Sequence, residues 1–338
     1  MKENTDNNEF KNTFLKNKNI SVIDLLRKWG LLTGLFLLIL VFSLSAENFF
    51  TIQNISNIFR HAAIGGIMGL GLTFAMMVGD FDLSFATLAG LINVINILLI
   101  IHGWSLFVVF TIAIIVGIVW GLLNSFLIVK VRIHAFIATL ATMTIAKGII
   151  FWITRGRTLY GKYPKVLTVI GRKNIIYDVL PIAALIFIVI AAITYVIANH
   201  TKMGRYFYAV GDNPTAAQYS GIKVDMYRIM GVTLSSSCAG IAAIVLTSKL
   251  CSAPPLAGDG YLMTVITSVF LGTTSFKPGV VNIGGTIVAI MFIAVMENGL
   301  IMLNVPYFFK DIIQGAIIIF AIASITGKKK GIGGPPLF

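Results

Sequence analysis

The sequence predicts an all-α integral membrane protein: about ten transmembrane helices, one or more broken or re-entrant segments, and one short cytoplasmic helix outside the bilayer. Three observations carry this. Apolar residues make up 57% of the 338 residues and charged residues 12%, whereas soluble domains carry about a quarter charged. Apolar runs of about 20 residues, the length of a bilayer crossing, recur along the chain. Lys and Arg gather in the short connections between those runs. A transmembrane barrel would instead show short alternating strands.

The elements follow in order. Residues 1–28 are polar and lead into a full-length span, so they read as a cytoplasmic tail and not as a cleaved leader. Spans are expected near 29–47, 60–79, 82–101, 104–129, 134–154, 178–198, 225–248, 261–276, 279–300 and 309–327. Together 29–327 form one transmembrane domain, interrupted by a polar loop at about 199–224, and 328–338 form a second cytoplasmic tail. An even count with the N-terminus inside places Lys130, Arg132, Lys202, Arg205, Lys223, Arg228, Lys277 and Lys328 to Lys330 on the inner face. That asymmetry accounts for the net charge of +13 without nucleic acid. One loop runs against it: 155–173 carries Arg155, Arg157, Lys162, Lys165, Arg172 and Lys173 on the outer face. Gly117 and Gly121 form a GxxxG pair, which reads as close helix packing. Cys238 and Cys251 imply neither a disulfide framework nor a metal site.

Catalytic signatures are missing from the sequence. It has no GxxxxGK[ST] phosphate loop, no HExxH and no GxSxG. His61, His102, His134 and His200 sit near expected span ends, where interfacial positions explain them. Candidate intramembrane charges are Asp80, Asp82, Lys147 and Glu297. The first two belong to GDFDLSFATLAG (79–90), which joins two apolar spans without a real loop. It reads either as a broken helix beside a pathway, since an unsatisfied turn is forbidden in hydrocarbon, or as a cytoplasmic turn with Asp82 or Ser84 capping the next helix. Glu297 and Asn298 are placed where interfacial solvation suffices. Thr139 and Thr142 share a helix face, their hydroxyls free to meet a solute or to bond the preceding turn.

The polar loop reads GRYFYAVGDNPTAAQYSGIKV (204–224). Asp212 or Asn213 suits an N-cap, Pro214 the first helical position and Gly221 the stop. Two turns of helix are marginal alone, so something must pack on the small residues Ala216, Ala217 and Ser220. That partner is either a separate cytoplasmic protein or the chain's own domain.

At this loop the chain resembles the membrane permease subunits of bacterial ATP-binding-cassette importers of the ribose type. The matching positions are Gly204, Arg205, Tyr208, Ala209, Gly211, Asn213, Ala216, Ala217, Ser220, Gly221 and Ile222. Asp82, Leu83 and Ser84 match a second family segment, and Phe136, Ile137, Thr139, Leu140, Met143 and Gly148 a third. Gly272, Gly285, Thr286, Asn298 and Gly299 match a fourth. Departures are Asp80 and Ala86 in place of family glycines, His134 in place of a proline, and the turn Lys277-Pro278-Gly279.

The resemblance implies a transport subunit of a bacterial inner or plasma membrane that is not itself an enzyme. ATP and Mg would be handled by cytoplasmic ATPase subunits that grip the loop through Gly211, Asn213, Ala216, Ala217, Ser220 and Gly221. It further implies a second permease subunit, identical or related, and an extracytoplasmic solute-binding protein. The cargo would be a small neutral sugar or related hydroxylated solute. Asp82, Ser84, Phe136, Thr139 and Asn298 are the expected pathway residues, and Arg157 and Lys162 the expected docking residues for the binding protein. The alternatives are a secondary transporter driven by an ion gradient, and a nucleoside as cargo.

Overall fold

Hydrocarbon leaves a backbone no partner but itself, so apolar runs of this length fold as helices. The computed structural model describes residues 22–176 and 180–326, and each expected span coincides with a helix there. The first half holds α1 (Val22–Ser45), α2 (Ile52–Met77), α3 (Phe85–Ile101), α4 (Leu106–Ser125) and α5 (Ala135–Thr154). One π-helical turn, Phe126–Lys130, extends α4. The short α6 (Leu167–Arg172) and an antiparallel pair, β1 (Asn174–Ile176) with β2 (Leu180–Pro181), precede α7 (Ile182–His200). Next come α8 (Lys202–Asp212), α9 (Pro214–Tyr219) and α10 (Val224–Leu250). The chain closes with α11 (Leu262–Gly272), α12 (Ile283–Met302) and α13 (Phe308–Thr326). Among the described residues six helices are long and apolar enough to cross a bilayer: α2, α4 with its π-turn, α5, α7, α10 and α12. Trp29–Ser45, Phe85–Ile101 and Asp259–Gly272 are apolar but shorter. The tail residues 1–21 and Lys328 to Lys330 lie outside the described residues.

The two longest helices, α2 and α10, form the centre. They run antiparallel, Gly71 meeting Ser235 while Phe74 meets Gly231. α4 lies against α10, and the GxxxG pair sets how close it comes. A Cβ on Gly117 would stand 2.7 Å from the Ser236 carbonyl oxygen, and one on Gly121 would stand 2.7 Å from the Thr233 Cα. Both obstacles are backbone, so only glycine fits at this spacing. With little hydrophobic drive between helices in lipid, such contact through small residues supplies the packing.

A symmetry emerges that the sequence did not reveal. The first half runs long α2, a non-helical break at 78–84, short buried α3, then α4 and α5. The second runs long α10, a break at 251–258, the short helical stretch Asp259–Gly272, then α12 and α13. Contacts repeat as well: α4 packs on α10 as α12 packs on α2, and α3 meets α5 as α11 meets α13. Because α2 and α10 are antiparallel, the halves are inverted relative to each other, as in many transporters. The segment between α5 and α7 covers one end of the bundle, and α8 with α9 covers the other.

Gly121→Ala forces a methyl group into the α10 backbone and should cost about 1–3 kcal/mol. Gly315→Ala, where an added Cβ meets nothing within 4 Å, should be neutral or slightly stabilising through helix propensity. Thermal unfolding of the detergent-solubilised protein compares the two.

Candidate functional site

Gly79 adopts φ +84°, which ends α2, and helix resumes only at Phe85. The polar groups freed between them find protein partners. The Ser84 amide and hydroxyl both donate to Asp82 Oδ1, at 2.8 and 2.7 Å. Asn124 of α4 donates its side-chain N–H to the Ser84 hydroxyl at 2.9 Å. Ser236 of α10 approaches Asp82 Oδ2 at 3.5 Å. From α5, Thr139 accepts the Leu83 amide at 3.1 Å, and its own hydroxyl lies 3.0 Å from the Phe81 carbonyl and 2.9 Å from that of Ala135. The break is therefore a buried junction of α4, α5 and α10, with Asp82 and Ser84 both at 0% exposure. It is no solvated turn, and Ser84 holds the N-cap position of α3 without accepting a helix amide.

Asp80 takes a separate partner. Arg228, in the second turn of α10, donates from Nε to Oδ2 at 3.0 Å and from Nη2 to Oδ1 at 2.6 Å. The carboxylate is buried and the guanidinium partly so. A two-pronged pair of this kind fixes direction as well as distance. The departure from the family pattern at position 80 thus pins the break to the start of α10.

Immediately before α10 stand α8 and α9. Thr201 caps α8 by accepting the Gly204 amide. The buried face of α8 presents Phe207 and Val210, with Phe207 edge-on to Phe74 of α2 at 5.3 Å and to Tyr227 of α10 at 5.5 Å. At the end of α8, Gly211 rests on the Met77 carbonyl, where a Cβ would collide with the α2 backbone. Asn213 is the N-cap of α9, accepting the Ala216 amide at 3.0 Å, and Pro214 opens the helix. Gly221 at φ +81° closes it, with the Ile222 amide returning to the Ala217 carbonyl. Ala217 is buried against the chain itself, while Ala216, Ser220 and Tyr219 project outward, Tyr219 at 90% exposure. The small-residue face expected from the sequence is divided between an inward and an outward side. Lys277 lies 5.1 Å above the ring of Tyr208, tying the turn after α11 to α8. Burial pushes the Tyr208 phenol up to about 12, so it stays neutral.

The remaining predicted residues scatter. Phe136 is half-exposed, 6.5 Å from Phe81, which is itself 6.0 Å from Phe270. Thr142 bonds back to the Thr139 carbonyl. Asn298 lies toward the opposite end, donating to Asn54 at 2.9 Å. Beside it Glu297 departs from expectation. It is 3% exposed and not solvated at an interface, and it accepts from Thr264 at 2.8 Å and from Gln314 at 2.7 Å. His61 and Lys310 each stand 3.4 Å from it. A cavity of about 310 Å³ opens there, lined by Arg60, His61, Arg172, Lys249 and Glu297 among others. Arg157 and Lys162 are exposed on the segment covering the same end. Among the described residues no cluster has the makings of a metal site.

Sequence reasoning missed α8, Tyr219, the Arg228 clamp and the burial of Glu297. Only α8 left a local trace, in the spacing of Met203, Phe207 and Val210. The others depend on partners far along the chain.

A protein-family profile described as the permease component of the branched-chain amino acid transport system matches residues 54–322. A ribose import permease protein of Bacillus subtilis (strain 168) is 33% identical over 306 residues, covering 90% of this chain and 94% of the relative. A D-allose transport system permease protein of Escherichia coli (strain K12) is 32% identical, covering 88% and 90%. An autoinducer 2 import system permease protein of Yersinia pseudotuberculosis serotype O:3 (strain YPIII) is 29% identical, covering 85% and 82%. No solved structure matches the chain.

Arg228→Ala leaves Asp80 as a buried, unpaired carboxylate and should cost about 3 kcal/mol, the low end for such a loss because the guanidinium is partly exposed. Adding Asp80→Ala should recover part of that cost. A double-mutant cycle on thermal unfolding measures the coupling, and additive losses would remove the pair from the account.

Proposed function

The chain belongs to the family of branched-chain amino acid transport system permease components, and we propose that it is the membrane subunit of an ATP-binding-cassette importer carrying a small neutral sugar or related hydroxylated solute. The observation that carries this reading is α9, a helix of two turns, capped at both ends and seated on α2 and α10 through α8 and Gly211. It presents Tyr219, Ala216 and Ser220 to whatever binds there. The similar permeases named for ribose and D-allose support the cargo class and favour a sugar over a nucleoside.

In this reading the chain crosses the membrane ten times with both termini inside, α3 and α11 counting as short crossings after their breaks. Cytoplasmic ATPase subunits hold α9, and ATP and Mg are bound and hydrolysed there. A second permease subunit completes the path. A solute-binding protein loads the outer face, where Arg157 and Lys162 offer charge to its acidic side chains. Asp82, Ser84 and Thr139 hold the break in shape and do not touch cargo. Phe136 with Phe81 and Phe270 stands nearer the route.

Force applied to α9 has a short path inward. Gly211 lies on the α2 terminus, and the next helix carries Arg228, which grips Asp80. Tilting the α8–α9 unit therefore moves both ends of the break. A transporter driven by an ion gradient would instead need intramembrane acids free to exchange ions. Asp80 is bound to Arg228, and Asp82 is bound within the junction.

The test is uptake in proteoliposomes. ATP-driven uptake should require the permease, its ATPase and the binding protein together. Tyr219→Ala with Ala216→Glu should cut co-purification of the ATPase and uptake at least tenfold. Uptake by the permease alone under a proton or sodium gradient would contradict the proposal.

A further inference from the structure

Lys147 and Asp259 form an ion pair, Nζ to Oδ2 at 3.0 Å, between the middle of α5 and the start of the stretch leading into α11. Thr87 of α3 donates its hydroxyl to Asp259 Oδ1 at 3.3 Å. Neither charge is buried: the Lys147 side chain is 46% exposed and that of Asp259 33%. Lys147 stands seven residues before the end of α5, about 10 Å in from that end. Charges at such depth face water or protein, because facing lipid is costly.

The rest of α5 shows which way this surface points. Residues Ala135, Ala138, Thr139, Thr142, Ala146 and Ile150 form its buried side. The exposed remainder divides into two flanks. One carries Ile137, Ile145 and Trp152, all large and apolar, as a lipid surface requires. The other carries Phe136, Leu140, Thr144, Lys147 and Phe151 within about 80° of arc at about 100° per residue, so a polar group sits here among aromatic ones. This second flank faces α11. Its inner end meets Phe81, which reaches Phe270 of α11, and its outer end meets Asp259. Gly260, next to Asp259, adds an independent sign. It is exposed, and a Cβ there would meet nothing within 4 Å, so packing within this chain does not explain its size.

We propose that the groove between α5 and α11 is a solute-recognition surface, with the Lys147–Asp259 pair and Thr87 as its outer polar station and Phe81, Phe136 and Phe270 as its inner aromatic end. This rests on the importer reading and names the positions that meet the cargo. The chemistry selects a neutral, polyhydroxylated molecule. Asp259 accepts from hydroxyl groups, Lys147 donates to hydroxyl or ring oxygens, and the ring faces cover C–H surfaces. Since the charges offset each other, neither an anion nor a cation gains a net attraction. The open space at Gly260 leaves room for the solute beside the pair.

The experiment uses the complete importer in proteoliposomes, with the permease in a Cys238→Ser/Cys251→Ser background, since both native thiols are buried. Absence of ATP-driven uptake by this parent and by the unmodified protein would count against the importer reading itself. Given uptake, Thr144→Cys should react with a membrane-impermeant thiosulfonate, and Ile145→Cys on the lipid flank should not. Lys147→Gln and Asp259→Asn should each lower uptake of the neutral sugar at least tenfold while the variant still co-purifies with its ATPase. Lys147→Arg should retain more uptake than Lys147→Gln. An unreactive Thr144→Cys, or unchanged uptake in both neutral variants, would overturn the groove as the recognition surface. If a neutral variant fails to assemble, the thiol reactivity pattern alone decides.

Discussion

A buried non-helical stretch needs protein partners for the polar groups it frees, and the break at 78–84 is where this chain supplies them. The Leu83 and Ser84 amides lose helical partners, and Thr139 and Asp82 accept from them instead, while Asn124 and Ser236 donate to the Ser84 hydroxyl and the Asp82 carboxylate. Thr139, Asn124 and Ser236 come from three elements, so the break sets where α5, α4 and α10 stand. An unsatisfied group there would cost several kcal/mol. The close GxxxG packing of α4 on α10 follows from the same demand, because Asn124 and Ser236 reach the junction only when those backbones nearly touch.

The break also joins the two ends of the mechanism. On one side Asp80 is clamped by Arg228, directly after the α8–α9 unit that an ATPase would hold. On the other, Phe81 stands between Phe136 of α5 and Phe270 of α11. In the proposed importer, consecutive residues would thus serve the motor side and the cargo side. A buried, hydrogen-bonded junction transmits displacement, whereas a solvated loop would absorb it. The inverted repeat places a second break at 251–258, and Asp259 stands beside it at the outer end of the same groove.

Much of the architecture was legible in the sequence, because a bilayer imposes length and hydropathy directly. Each expected span coincides with a helix, six of them long and apolar enough to cross a bilayer, and the caps of α9 fall on Asn213, Pro214 and Gly221 as local chemistry requires. What escaped was pairing at a distance. Asp80 and Arg228 are separated by 148 residues, and Lys147 and Asp259 by 112. None of these four charges shows its partner locally, and only the fold shows whether it is buried, paired or exposed. Glu297 was misplaced for that reason: its position near a helix end suggested solvation, but Thr264, Gln314, His61 and Lys310 converge on it. Ala217 shows the limit of face counting on a two-turn helix, since neighbouring small residues point to opposite sides.

In the proposed importer Arg228 and Asp80 carry motion from α9, where an ATPase would bind, to the break. The most direct measurement is the number of solute molecules imported per ATP hydrolysed in the Asp80→Ala/Arg228→Ala double variant, reconstituted with its ATPase and binding protein. If this pair carries the motion, hydrolysis continues while import per ATP falls at least tenfold. An unchanged ratio would show that force reaches the membrane helices by another route.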